Sequence, residues 1–307
     1  MLCEFAVDPA VFTTFERFRF FLSQFGVHHG RLISEFPGRW KRMVWELAER
    51  VLKDVERKRI ELLLTQISVK LLRRTGVTYD PTGTWIDNAE REHARDPFHA
   101  IVAPSNPRGR PYILDPGLVD ETDERWRVER ERAVPRDPVA FGRASAPLVS
   151  ISREILLIDP HFNPSEERWR VSLAELLAPL AGRCAAVSRV EVHVTDMKEN
   201  GQIKWALAWY LDECERRLPA CVPAGLRVAV IVWRQRVGGE KLHPRYVLTE
   251  RGGMRFEVGL DEGAPGQTTD VSLLGETLHQ ERWQQYQRGT AAFDFVNQVE
   301  VVGSRRM

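Results

Sequence analysis

The sequence predicts an α/β protein in which a mainly helical N-terminal domain precedes a mixed sheet flanked by helices. Apolar residues recur at spacings of three and four before residue 75. Strand and helix patterns alternate after residue 151, and strand patterns alone follow residue 239. With 307 residues, of which 43% are hydrophobic, the chain can bury the cores of about two domains.

Residues 1–75 are predicted to form the helical domain. An aromatic stripe over residues 12–25 indicates an amphipathic helix that ends at Gly26. A longer periodic stretch over residues 37–74 indicates a second helix. Residues 76–150 are punctuated by proline and glycine and carry a charged run, so a loop-rich connecting region with short strands is expected there.

Residues 151–307 are predicted to form the second domain. The apolar patterns REILLIDPHF, VSRVEVHVTD and LRVAVIVWRQ indicate three strands, and helical patterns lie between them. This alternation is typical of parallel strands with both faces covered. Two further strands, KLHPRYVLTE and MRFEVGL, flank a predicted turn at 251–253, and a helix near 271–288 precedes a last strand, QVEVVG.

Composition limits the classes of protein that this chain could be. Lys and Arg number 44 and Asp and Glu 43, a formal charge of +1, so any contact with nucleic acid must come from a local patch. The four cysteines have no metal-ligand spacing, and neither a metal nor another cofactor is predicted. The N-terminus lacks a secretory pattern and no apolar run approaches ~18 residues, so a cytoplasmic protein without membrane contact is expected.

The chemically informative segment is His243-Pro244-Arg245, which is followed by Glu250 and by the glycines of the predicted turn. Residues two apart in a strand face the same side of a sheet. The imidazole of His243 and the guanidinium of Arg245 would therefore point together toward one phosphate group.

Three other side chains follow strand ends, where open α/β sheets place groups that contact ligands. Lys198 and Lys204 are expected to line the phosphate cleft, unless their polar loop only caps the next helix. His161, in IDPHF, is interpreted as an ordinary loop histidine.

The segment from His243 resembles the signature of the phospholipase D superfamily, in which His-x-Lys is followed four residues later by an acid and then by a glycine turn. The strand that contains IDPHF also looks like the opening strand of that superfamily, and the likeness covers residues 151–300. The resemblance implies a metal-independent phosphodiesterase. In it, His243 would be the nucleophile, Arg245 would hold the phosphate, Glu250 would be the orienting acid, and a second histidine would protonate the leaving group.

Two departures from the superfamily pattern keep a second interpretation open. Arg245 stands where lysine is usual, and the run GLDE at 259–262 places two carboxylates near the expected phosphate. A catalytically inactive scaffold or an interaction subunit of a larger assembly would account for both. Four tryptophans in polar surroundings would suit partner surfaces, or else belong to the core: Trp85, Trp126, Trp169 and Trp283.

The expected substrate is a nucleic-acid phosphodiester, in a bacterial defence or DNA-processing setting. Because the chain holds one motif and the superfamily site uses two, the resemblance also implies a homodimer with an isologous interface. In the N-terminal domain, basic residues on the long predicted helix would either track a phosphate backbone or form a solvated helix face. These residues are Arg39, Lys41, Arg42, Lys53 and Arg57.

Overall fold

The computed structural model describes residues 1–198 and 200–306, and the chain divides into two compact units. Unit 1 is Met1–Arg130 and unit 2 is Glu131–Met307. Each unit contains a sheet flanked by helices, with five strands in the first and eight in the second. The α/β class is therefore confirmed, whereas the division of the chain differs from the expected boundaries near residues 75 and 150.

Unit 1 is built on a parallel sheet with the strand order β3-β2-β1-β4-β5. The strands are β1 (Cys3–Val7), β2 (Arg31–Ser34), β3 (Leu71–Leu72), β4 (Ala100–Val102) and β5 (Ile113–Leu114). The helices are α1 (Phe15–Gln24), α2 (Trp40–Val51), α3 (Asp54–Gln66) and α4 (Trp85–Arg95). Residues 1–75 are largely helical, as expected, but the parallel sheet on which the helices pack was not predicted, because its strands have only two to five residues, too few to show a clear period.

Side chains on the two faces of β1 belong to different cores. Phe5 and Val7 point into an aromatic cluster, and Ala6 points to the opposite face, as the two-residue period of a strand requires. The aromatic cluster consists of Phe5, Phe12, Phe18, Phe21, Phe25, Trp40 and Trp126. The predicted aromatic stripe therefore packs against the sheet, although Phe12 lies in a short 3₁₀ helix before α1.

The single long helix expected over residues 37–74 is two helices. Leu52 and Lys53 adopt extended backbone conformations between α2 and α3, with ψ angles of 152° and 163°. The Glu56 carboxylate accepts a hydrogen bond from the Lys53 backbone N–H and caps the start of α3. Neither glycine nor proline marks the break, so the helical spacing of apolar residues continues across it without interruption.

Unit 2 is built on a mixed sheet with the strand order β13-β9-β8-β7-β10-β11-β12-β6. The strands are β6 (Glu131–Pro135), β7 (Glu154–Ile158), β8 (Arg189–Thr195), β9 (Arg227–Arg234), β10 (Arg245–Thr249), β11 (Gly252–Phe256), β12 (Thr268–Leu273) and β13 (Asp294–Val302). The helices are α5 (Pro138–Ile151), α6 (Glu167–Leu177), α7 (Leu207–Arg217) and α8 (Glu276–Gln285). β7, β8 and β9 are parallel and every other pairing is antiparallel.

The predicted strand and helix alternation from β7 to β9 is confirmed, and three details of unit 2 differ from expectation. Residues 131–151 supply β6 and α5 to this unit, so they are not part of a loop-rich connection. Glu250 and Arg251 make the turn between β10 and β11, and the two glycines expected in the turn open β11. The expected helix over 271–288 begins only at Glu276, because residues up to Leu273 pair with β11 as strand β12.

Within the described residues, no helix combines the length and the apolar character needed to span a bilayer.

Replacing Gly303 with alanine is expected to destabilise unit 2. A Cβ at this position would overlap the carbonyl oxygens of Val222 and Pro223, which are backbone atoms that cannot rotate away. We expect Gly303→Ala to lower the free energy of unfolding by about 1–3 kcal/mol. Urea denaturation followed by circular dichroism measures the change. Gly289→Ala is the control, since no atom lies within 4 Å of its added Cβ, and an equal loss in both variants would contradict the packing argument.

Candidate functional site

A cleft of ≈ 440 Å³ opens in unit 2 at the carboxyl ends of β7, β8 and β9. Three parallel strands end at this edge, and the segment before β10 reaches the same place because β10 runs antiparallel beside β7. The cleft is lined by Pro160, His161, Thr195, Met197, Lys198, Gln235, Lys241, Leu242 and His243. Two lysines and two histidines thus surround it, and no carboxylate does within the described residues.

His243 lies in the loop before β10, not on the strand. Its side chain is exposed and lines the cleft, and its backbone N–H donates to the carbonyl oxygen of Lys241 at 3.0 Å. β10 begins at Arg245, so the expected arrangement of His243 and Arg245 on one strand face is wrong. The two-residue period applies only inside a strand, and His243 is outside it.

Arg245 faces a buried acid that follows β7. Tyr246 pairs with Ile158, and this register places Arg245 beside Asp159. Arg245 is half-buried, and its Nε is buried with no hydrogen-bond partner in the described part of the chain. A buried guanidinium N–H without a partner is a donor that an anion could use.

Asp159 joins two loops at the edge of the cleft. It is 2% exposed, and its carboxylate oxygens accept hydrogen bonds from the backbone N–H groups of His161 and Leu260, both at 2.9 Å. Burial raises the pKa of Asp159 to about 6, although the two N–H groups and the positive charge of Arg245 act in the opposite direction. This acid therefore titrates close to neutral pH.

The carboxylate of Asp261, expected to weaken phosphate binding, is held by two arginines. Arg136 donates to one of its oxygens at 2.8 Å and Arg168 to the other at 3.0 Å. The side chain of Asp261 is only 7% exposed. Its charge is therefore compensated inside unit 2. The Asp261 carboxylate then repels a phosphate ligand less than the sequence suggested.

The two lysines predicted to bind phosphate have different positions. Lys198 is exposed and lines the cleft with His243. Lys204 donates a hydrogen bond from Nζ to the carbonyl oxygen of Pro160, and its backbone N–H donates to Asp196. Lys204 therefore ties the loop after β7 to the loop after β8, while Lys198 is available to a ligand.

Glu250 lies at the other end of β10. Its oxygens accept hydrogen bonds from the backbone N–H groups of Arg153 and Glu154, at 2.9 and 3.0 Å, where β7 begins. Five strand residues from Arg245 to Glu250 span roughly 16 Å. Glu250 therefore does not orient His243, and its prediction as a catalytic acid is wrong.

The basic residues of the N-terminal helices are largely paired with neighbours in unit 1. Arg42 pairs with Glu46, and Arg57 pairs with Asp54. Lys41 donates to the hydroxyl of Ser68 at 3.0 Å. These contacts favour the solvated helix face over a continuous nucleic-acid surface.

Arg39 and Lys53, the two remaining members of the predicted basic stripe, are exposed at the starts of α2 and α3. They belong to different helices, because the helical conformation is interrupted between Val51 and Asp54. A single stripe along one helix is therefore not formed.

The sequence analysis interpreted His161 as an ordinary loop histidine and did not identify Lys241 and Asp159. His161 and Lys241 line the cleft, and Asp159 lies beside Arg245. His161 follows a parallel strand directly, and that position was the available signal. Lys241 and Asp159 reach the site only because β10 pairs with β7, which no local pattern reveals.

The four tryptophans that could have formed either partner surfaces or core are mostly core residues. Trp85, Trp126 and Trp169 are buried, and Trp283 is partly buried against the apolar core of unit 2. In the described part of the chain, no group of three or more His, Cys, Asp or Glu side chains is arranged to hold a metal ion.

Comparison with known proteins gives no family for this chain. No protein-family model matches the sequence, and no curated protein matches it. Among solved structures, that of TrmBL2, described as an archaeal chromatin protein with a novel mode of DNA binding, is similar at a TM-score of 0.28 and 11% identity. The match covers 59% of this chain and 58% of that one. A likeness this weak carries no argument about fold or function.

Replacing Glu250 should affect stability and leave ligand binding unchanged. Glu250→Ala leaves two backbone N–H groups of β7 without their acceptor, and we expect the free energy of unfolding to fall by about 1–2 kcal/mol. Urea denaturation measures this loss. Glu257→Ala, which removes an exposed glutamate just after β11, is the control and should cost less than about 0.5 kcal/mol. If the Glu250→Ala protein kept its stability but bound phosphate more weakly, Glu250 would be part of the binding site and this prediction would be wrong.

The raised pKa of Asp159 predicts a pH-dependent stability. The folded pKa of about 6 exceeds the ordinary value of 3.8, so the contribution of this carboxyl is fully present below pH 3.8 and is lost as pH rises through 6. We expect wild type to lose on the order of 2–3 kcal/mol relative to Asp159→Asn between pH 4 and pH 7. Urea denaturation of both proteins across this range measures the difference, and a pH-independent difference would contradict the assignment.

Proposed function

We propose that unit 2 binds a phosphodiester group of nucleic acid in the cleft at the carboxyl ends of β7, β8 and β9. One observation carries the proposal: side chains of Lys198, Lys241, His161 and His243 converge on one cleft that, within the described residues, no carboxylate lines. Two lysines and two histidines at one cleft favour a ligand with negative charge. Thr195 and Gln235 add neutral polar groups that can bond to phosphate or sugar oxygens.

Arg245, two residues after His243, also supports this proposal. Its buried Nε has no partner in the described residues, and a guanidinium binds phosphate oxygens well. The likeness of His243-Pro244-Arg245 to the phospholipase D signature points in the same direction.

We further propose that the cleft hydrolyses the bound diester through His243. An imidazole nitrogen of His243 would attack phosphorus, so that a P–N bond forms while the bond from phosphorus to the leaving oxygen breaks. A second histidine would give its proton to the leaving oxygen. Water would then attack phosphorus and break the P–N bond, which restores His243 and returns the proton to the second histidine. No metal takes part in either step.

The second histidine has two sources. The resemblance implies a second copy of the chain, in a homodimer that brings two His243 side chains together. The cleft itself offers His161 from the same chain. A monomer that cleaves the diester and loses activity in His161→Ala would select His161, and a dimer that is insensitive to this change would select the second copy.

Binding without cleavage is the alternative function, and the surroundings of Arg245 favour it. A lysine at this position would present one compact ammonium group, whereas Arg245 presents a planar guanidinium to Asp159. A phosphate must share that guanidinium with the carboxylate. An inactive phosphate-binding subunit of a larger assembly would keep affinity and lack turnover.

The decisive experiment measures cleavage of end-labelled single-stranded and double-stranded DNA and RNA in the presence of EDTA. We expect EDTA-resistant cleavage that falls by a factor of about 10³ or more in His243→Ala, because the nucleophile is lost. His28→Ala removes a histidine of unit 1 and is the matched control. Binding of the same substrates is measured in parallel by fluorescence anisotropy.

Each result decides between the two functions. Cleavage that disappears in His243→Ala and persists in the control supports the hydrolase. Binding that weakens in Lys198→Ala and Lys241→Ala, without cleavage of any substrate, supports the binding subunit. Binding that none of these variants changes would overturn the assignment of this cleft.

A further inference from the structure

We infer that unit 1 carries a separate anion site, in which a cleft beside the start of β2 binds a phosphate group of a nucleotide or of nucleic acid. The cleft is lined by His29, Arg31, Glu121, Arg127, Val128 and Arg130. This site is independent of the proposed function of unit 2.

Arg31 gives the cleft a fixed positive charge. It is 4% exposed, its Nε donates to the carbonyl oxygen of Trp126 at 2.9 Å, and its guanidinium lies 4.4 Å from the centre of the Trp126 ring. These contacts hold the guanidinium plane in one orientation. A guanidinium that is already positioned loses little side-chain entropy when a ligand binds.

Arg127 and Arg130 add two further charges that have no counter-ion. Both are exposed, and neither takes part in an ion pair among residues 1–198 and 200–306. By contrast, Arg42 on α2 and Arg57 on α3 pair with acids of their own helix.

The pKa of the His29 imidazole depends on the charges around the unit 1 cleft. Partial burial lowers its pKa first, and the charges of Lys70, Arg31, His28 and Arg130 lower it further. These charged neighbours are all positive, so an anion bound beside this ring would be attracted to them. An anion in the cleft would act in the opposite direction.

Glu121 is the one acid that lines the cleft in the described part of unit 1. It accepts a hydrogen bond from Arg31 at 2.8 Å, and its side chain is 67% exposed. The Glu121 side of this ion pair is exposed to solvent, which screens its charge, whereas Arg31 is buried. A phosphate can therefore displace the Glu121 carboxylate, and three arginines with planar donor groups match the oxygens of a phosphate.

The test compares two double variants that remove the same charge. Arg127→Ala with Arg130→Ala empties the cleft of two arginines, and Arg125→Ala with Arg132→Ala removes two exposed arginines of the same segment outside it. Calorimetric titration with inorganic pyrophosphate should show an affinity about tenfold or more lower in the first variant. The second should stay within about twofold of wild type.

Two further probes identify the source of the phosphate. If the ligand is nucleic acid, the slope of log affinity against log salt for a labelled oligonucleotide should fall by about 2 in the cleft variant only. If it is a nucleotide, the oligonucleotide slope should be unchanged while the affinity for a nucleoside triphosphate falls with that for pyrophosphate. Either pattern supports the site.

An independent readout is the ring of His29, followed by NMR in the wild-type protein. Saturating pyrophosphate should raise the pKa of His29, because the anion cancels the positive field. Equal losses of affinity in both double variants, or an unmoved pKa of His29 at saturation, would overturn the proposal.

Discussion

The buried carboxyl of Asp159 is the interaction on which the cleft of unit 2 depends. It binds the backbone of the loop after β7 through His161 and the backbone of the loop after β11 through Leu260. It also lies beside Arg245, where β10 begins. Three segments distant in sequence are therefore fixed by one side chain. Burying a carboxyl is costly, and the N–H donors and the neighbouring guanidinium reduce that cost.

The formal charge of +1 conceals an uneven distribution of cations. Arg42 on α2 and Arg57 on α3 pair with acids three or four residues away, and such pairs contribute only about 0.3–0.5 kcal/mol. At both clefts the cations come from different segments of the chain, where helical spacing does not provide a partner. A basic stripe in a sequence is therefore weaker evidence for an anion site than cations that tertiary folding brings together.

The elements that the sequence predicted well are those with enough length to show a period. β8 and β9 have seven and eight residues and are recognisable apolar runs, whereas β3 and β5 have two residues each. The break at Leu52 and Lys53 has no glycine or proline, so the periodic pattern of two helices reads as one. The last three residues of β12 were assigned to a helix, because the pairing of β12 with β11 is a tertiary contact.

Prediction of the candidate site was limited in the same way, because local patterns do not show which distant segments pair. Lys198 and His243 line one cleft, and for Lys198 the shared edge of parallel strands had suggested such a position. Glu250 is close to His243 in sequence and far from it in space, since a strand advances about 3.3 Å per residue. The acid that does approach Arg245 is Asp159, 86 residues earlier, and only the antiparallel register of β10 against β7 reveals it.

Two buried acids of unit 2, Glu191 and Asp159, have pKa values shifted in opposite directions because their hydrogen-bond donors differ. Burial acts to raise the pKa of Glu191, but direct hydrogen bonds from His193 and Arg189 outweigh it and lower the pKa to about 2. Asp159 has no such direct cationic donor, and its pKa is about 6. A phosphate at Arg245 would compete with Asp159 for positive charge and so favour the protonated acid. By linkage, protonation of Asp159 must strengthen phosphate binding by the same free energy.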